Sequence, residues 1–167
     1  GCFGFSSAIE GYFPPRAGKV HFSRFLKWYL GYSPKDCSTN IPLALNFLTK
    51  KVKSKNFNKV GLLATGTTIK FKIYNKDFDK LDIELVVPEK QEKVTKVIMN
   101  ILAGKKLEKD KEELKQIIEE LKSNGAEAIV LGCTDIPILL QQGDVDIKVF
   151  DTVEVLAEST IKFAVKY

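Results

Sequence analysis

The chain has 167 residues, 44% of them apolar, and a formal net charge of +5. That length predicts one domain whose core needs no disulfide or metal to hold it. One His and three Cys (Cys2, Cys37 and Cys133), with no CxxC or CxxxH spacing, argue against a structural zinc or a His-rich metal site.

The first 60 residues carry ten basic and two acidic side chains, so the basic character belongs to the first third. Gly1 to Pro15 is aromatic-rich and patternless. Phe22, Phe25, Leu26, Tyr29 and Leu30 predict an amphipathic helix over 19–31, and Leu45, Leu48 and Val52 predict a second after Pro42. Residues 1–58 are therefore expected to form a reduced, mostly helical region. The basic run Lys50, Lys51, Lys53, Lys55 and Lys59 reads as a solvated face rather than a nucleic-acid contact. His21 reads as a surface or packing residue. No secretory signal and no membrane span are expected. The odd cysteine count suits a reducing cytoplasm.

From Lys59 the pattern changes. Lys59–Ala64 is a short apolar run, read as a buried strand. The turn Thr65-Gly66-Thr67-Thr68 follows, then a helix-like segment to about Phe78. Asp82–Val87 is a second strand, stopped by Pro88. Val94, Val97, Ile98, Ile101 and Leu102 mark one helical face, closed by Gly104. Leu114, Ile117, Ile118 and Leu121 mark the next, closed by Gly125. Ala126–Leu131 is a third strand and Asp146–Phe150 a fourth. Asp151 and Glu154 have capping-box spacing, with Asp in place of Ser or Thr, ahead of a last amphipathic helix. Strands separated by helices must pair in parallel. Residues 59–167 are thus expected to be an α/β unit with a four-stranded parallel sheet of flavodoxin-like type.

In such sheets ligands bind beyond the carboxyl ends of the strands, which singles out two segments. The Thr65–Thr68 turn offers hydroxyls and a glycine-opened backbone to a phosphate or carboxylate. The plainer reading is that Thr65 or Thr67 only caps a helix. Gly132-Cys133-Thr134-Asp135-Ile136-Pro137 ends the third strand, with Thr134 as a candidate N-cap. It places Cys133 where a helix N-terminus lowers a thiol pKa. The plainer reading there is a Cys packed as a small hydrophobe, with Asp135 explained by the helix dipole. Both segments belong to one edge of one sheet. Phosphatase chemistry is argued against, because no Arg follows Arg24 to bind an oxyanion.

Three stretches resemble the aspartate/glutamate racemase family over about 110 residues. Val60-Gly-Leu-Leu-Ala-Thr65 with Thr68 and Tyr74 is similar to its G-L-L-A-T…T…Y strand and turn. Ile129-Val-Leu-Gly-Cys-Thr-Asp-Ile-Pro137 is similar to its G-C-T-E block around a catalytic Cys. Phe150-Asp-Thr152 through Leu156-Ala157 is similar to its closing D-[ST]…L-A helix. The resemblance implies two α/β lobes facing a cleft, each giving one thiol, and no cofactor. One thiolate removes the Cα proton of a small dicarboxylic amino acid and the other thiol returns one from the opposite face. It implies Cys133 as one of these thiols, and Thr65, Thr68, Thr134 and Asp135 as substrate contacts. Thr67, in a Gly-Thr order inverted from the family's, is a further candidate. Asp135 stands where Glu is usual. Leu102 stands where aspartate racemases tend to have Lys, with Lys105 or Lys106 as substitutes. Cys37, in Cys37-Ser-Thr-Asn40, is the candidate for the second thiol.

The functional expectation is a racemase-like isomerase acting on aspartate or glutamate. The alternatives are an inactive relic of the fold that binds a small anion or a partner subunit, and a one-Cys decarboxylase-like relative. A reduced first lobe would leave apolar surface uncovered, so a homo-oligomer is expected.

Overall fold

A computed structural model describes residues 40–164. The expectations for Gly1–Pro15, the helix over 19–31, His21, Cys2 and Cys37 lie outside the described residues. Twelve elements follow in order. They are α1 (Asn40–Lys53), β1 (Lys59–Leu63), α2 (Gly66–Lys70), α3 (Asn75–Asp79), β2 (Glu84–Val86), α4 (Gln91–Leu102), α5 (Glu108–Ser123) and β3 (Ala128–Leu131), two 3₁₀ turns (Ile136–Ile138 and Gln142–Asp144), then β4 (Lys148–Asp151) and α6 (Thr152–Ala164).

The four strands form one parallel sheet in the order β2-β1-β3-β4, as the alternating pattern predicts. The chain leaves β1 to one side for β2 and returns on the other side for β3. The central pair β1–β3 is therefore the point where the winding reverses, and a crevice opens beyond the carboxyl ends of such a pair.

Both faces of the sheet are covered, which is why its strands read as unbroken apolar runs. On one face Leu63, Ile129, Leu131 and Val149 meet the buried stripes of α4 (Val94, Val97, Ile98, Ile101) and α5 (Leu114, Ile117, Ile118, Leu121). On the other, Leu62, Val130 and Phe150 meet Leu45, Leu48 and Val52 of α1, Val155 of α6, and the rings of Tyr74 and Phe78. Each such aliphatic or aromatic side chain, fully buried, contributes about 1.5–3 kcal/mol. Leu102 carries the helical pattern of α4 one step too far, since it is 61% exposed beyond the buried stripe.

The helix expected from the threonine turn to Phe78 is two five-residue helices. Lys72 between them takes a left-handed φ of 50°, which no continuous right-handed helix accommodates. The short pieces fold Tyr74 and Phe78 back under the sheet, their rings 6.3 Å apart.

The free edge of β4 is closed by one side chain. Gln142 Nε2 donates to the Ile147 carbonyl at 3.0 Å, and its Oε1 accepts from Val149 N–H at 2.9 Å. A carboxamide thus takes the place of a fifth strand there and blunts the edge. At the centre of the sheet, a Cβ on Gly61 would fall 2.7 Å from Ile129 Cδ1 and 2.9 Å from Leu121 Cδ1. Gly61→Ala is expected to cost about 1–3 kcal/mol through overpacking, read as a lower urea midpoint at unchanged m-value.

Candidate active site

The site grows from the end of the β1–β3 ladder. Leu63 pairs with Leu131, and the last rung is Gly132 N–H donating to the Leu63 carbonyl at 2.7 Å. Beyond that rung β1 runs into the Thr65 turn and β3 into the Cys133 turn, the sulfur lying against the core cluster of Leu63 and Leu131. Cys133 is half-buried and packs its flank against that core cluster without being sealed in it.

Thr65 caps α2: its Oγ1 accepts from Thr68 N–H at 3.3 Å and lies 2.9 Å from Thr68 Oγ1. The two hydroxyls form one half-buried pair. Thr67 is exposed. The capping reading of Thr65 holds, and it leaves the hydroxyl pair at the carboxyl end of β1. A helix of five residues adds little dipole, so any anion affinity rests on the hydroxyls.

After Cys133 the expected helix is a three-residue 3₁₀ turn, Ile136–Ile138, with Pro137 in its first turn. Asp135, not Thr134, holds the capping position, and no side chain caps it. Thr134 is exposed and Asp135 half-buried. Cys133 Sγ donates to Asp135 Oδ2 at 3.6 Å. The thiol pKa is raised, against the expectation of a lowered one. Burial is the largest cause, and the Asp135 carboxylate adds to it, while the N–H groups of Asp135 and Ile136 pull the other way. The physical reason is that a single 3₁₀ turn supplies two donors but no macrodipole to offset desolvation.

Behind the sulfur two hydroxyls hold two successive carbonyls. Thr152 Oγ1 donates to Leu131 O at 3.0 Å, and Tyr74 OH donates to Gly132 O at 3.3 Å. Burial pushes the Tyr74 phenol above its ordinary range, the nearby Cys133 charge pushes it further, and a hydrogen bond with Thr152 opposes both. Asp151 caps α6 through Val153 N–H at 2.8 Å, and burial raises its carboxyl. A groove of about 450 Å³ opens on the β4 side, lined by Thr134, Ile138, Gln141, Asp151 and Glu154 among others.

Gln91 belongs to this edge, and nothing in the sequence marks it. Its Nε2 donates to the Ala64 carbonyl at 2.8 Å, tying the start of α4 to the end of β1, while its buried Oε1 has no partner among the described residues. Lys105 and Lys106 are not brought to the site. Gln91 touches Ala64, and the twelve residues of α4 lead away for roughly 18 Å before those lysines. Among the described residues no three of His, Cys, Asp or Glu gather as metal ligands, and no helix is long and apolar enough to cross a membrane.

The family model of Asp/Glu/hydantoin racemases matches residues 48–160. The chain belongs to that family. Among solved structures it is similar to an aspartate racemase homologue from Pyrococcus horikoshii OT3, at 32% identity and a TM-score of 0.66 over 73% of this chain and 55% of that one. It is also similar to the aspartate racemase of Picrophilus torridus, at 26% identity and a TM-score of 0.66 over 83% of this chain and 58% of that one. A protein of the pnlA 3′ region of Pectobacterium carotovorum subsp. carotovorum, described as uncharacterized, is 28% identical over 110 residues, 65% of this chain and 73% of that protein. The chain thus spans little more than half of the two solved structures.

Two outcomes follow from the charges around the sulfur. Asp135→Asn removes the carboxylate that disfavours the thiolate, so the pH profile of iodoacetamide alkylation of Cys133 moves to lower pH and alkylation at pH 7 speeds up. The raised Cys133 and Tyr74 groups stabilise the fold fully below their unfolded pKa values of about 8.5 and 10. That contribution is lost as pH rises through and beyond them, because unfolding then releases protons. Thermal midpoints should fall steadily above pH 9.

Proposed function

We propose that this lobe supplies one thiol and the carboxylate-binding hydroxyls of a cofactor-independent racemase-like reaction on a small acidic amino acid, aspartate or glutamate. What supports the reading is the Cys133–Asp135 contact at the end of β3 together with the Thr65–Thr68 hydroxyl pair at the end of β1, the two strands between which the sheet winding reverses.

The chemistry follows from the groups. A Cα–H beside a carboxylate is a very weak acid, and its anion is an enolate whose charge rests on the carboxylate oxygens. Hydroxyl donors at Thr65 and Thr68 stabilise that charge as it develops. Thr134, which lines the groove, is the proposed contact for the second carboxylate. Thr67, exposed, is a weaker candidate contact. The raised thiol rests protonated, which suits Cys133 to the proton-returning half of the cycle. Its S–H proton goes to Cα, the enolate electron pair becomes the new C–H bond, and sulfur keeps the charge. The N–H groups of Asp135 and Ile136 face that thiolate. In the reverse direction the same thiolate takes the proton back. Inversion needs a second thiol across the substrate, and Cys37 is the proposed one.

The test is incubation with L-aspartate or L-glutamate in deuterated water, following Cα–H loss by proton NMR together with chirality. Washout with racemisation is expected, falling by at least about 100-fold in Cys133→Ala. Thr65→Val and Thr68→Val should lower turnover more than they raise KM. Washout undiminished in Cys133→Ala overturns the reading. Washout with retained chirality points to one working thiol, as in a decarboxylase-like relative.

One observation favours a second reading, an inactive relic of the fold that binds a small anion. Burial holds the Cys133 thiol in its neutral form, and a neutral sulfur is inert as a base. No washout at high protein concentration, with dicarboxylates still raising the thermal midpoint, is its signature.

A further inference from the structure

We infer that Tyr74 is a positioning residue for Cys133: its hydroxyl takes the Gly132 carbonyl, ends the β1–β3 ladder one rung early, and fixes the peptide that carries the sulfur. The inference rests on the proposed role of Cys133.

The ladder register shows what the phenol displaces. After Gly132 N–H to Leu63 O, the next bond of a parallel pair would run from Thr65 N–H to Gly132 O. That bond is not made, and Gly132 O instead accepts from Tyr74 OH at 3.3 Å. Gly132 is built for this contact. A Cβ there would lie 3.1 Å from the Tyr74 hydroxyl, 2.9 Å from Leu62 Cδ1 and 3.1 Å from Ala64 Cβ. The ring itself has little freedom, since it is 8% exposed and packs on Phe78.

The consequence is directional. A planar peptide points its N–H opposite its C=O. With the Gly132 carbonyl drawn toward Tyr74, the Cys133 N–H turns away from it. Thr152, holding Leu131 O at 3.0 Å, fixes the peptide before. Two hydroxyls on consecutive carbonyls therefore set the entry into the 133–136 loop, in which the Ile136 N–H donates to the Cys133 carbonyl at 3.4 Å and the Asp135 N–H favours the thiolate. The two strand ends also stay unzipped beyond Gly132.

The test uses the 167-residue chain with Cys2 and Cys37 replaced by Ser, so that iodoacetamide reports on Cys133 alone. In Tyr74→Phe the loop loses its anchor and the Asp135 N–H no longer holds the thiolate. The alkylation profile should move to higher pH, with the rate at pH 8 down about threefold or more. In the parent sequence the same substitution should lower deuterium-washout turnover while leaving KM within about twofold. para-Fluorophenylalanine at position 74 fills the hydroxyl's volume without donating. It should reproduce the displaced profile even if Tyr74→Phe fails to fold. A profile that superimposes on that of the Tyr74 chain, whatever happens to the thermal midpoint, makes Tyr74 an ordinary core residue and overturns the inference. A displaced profile in a chain without washout activity defeats the racemase reading and leaves the positioning of Cys133 standing.

Discussion

The structure depends on the pairing of β1 with β3 at the centre of the sheet. The two strands are separated in the chain by β2 and four helices, yet they share a ladder of four residues in register. Every group of chemical interest is placed by where that ladder stops. Its last rung holds Gly132 against Leu63, and beyond it the two chain segments part. Buried backbone groups must be paired, so the carbonyl released at Gly132 needs a donor, and the Tyr74 phenol provides one. Strand pairing, glycine, buried tyrosine and reactive sulfur are thus one connected arrangement.

The sulfur sits in a balance of opposed effects. Desolvation and the Asp135 carboxylate favour the thiol, while two N–H groups favour the thiolate. A group in such a balance responds to small changes in its surroundings. In the proposed reaction, the neutral form beside a carboxylate serves the proton-returning direction, and the N–H donors favour the thiolate that the other direction needs.

The described residues form a complete α/β layer structure with a one-sided site. Cys133, Thr65, Thr68 and Gln91 all belong to one edge, while the solved relatives are nearly twice as long as the matched region. Asp135 reaches the sulfur because the two residues lie in one tight turn rather than across a cleft.

The sequence by itself determined the four strands, the helices α4, α5 and α6 and the parallel sense of the sheet, because local periodicity and the length of the crossovers specify them. It also placed the Thr65 turn and the Cys133 turn at the carboxyl edge, since each follows directly on a strand. Residues such as Val94 and Leu114 were legible as core for the same reason, whereas Leu102, in phase with them, was not legible as exposed. Only the tertiary structure decided that β1 and β3 are neighbours, which turns two turns of one edge into one site. It also decided the direction of the Cys133 pKa shift, because desolvation depends on what packs around a sulfur and not on its local motif. Gln91 and the Tyr74–Gly132 contact came from the fold alone. Each joins segments 27 and 58 residues apart, and no periodicity records which carbonyl a distant side chain will find.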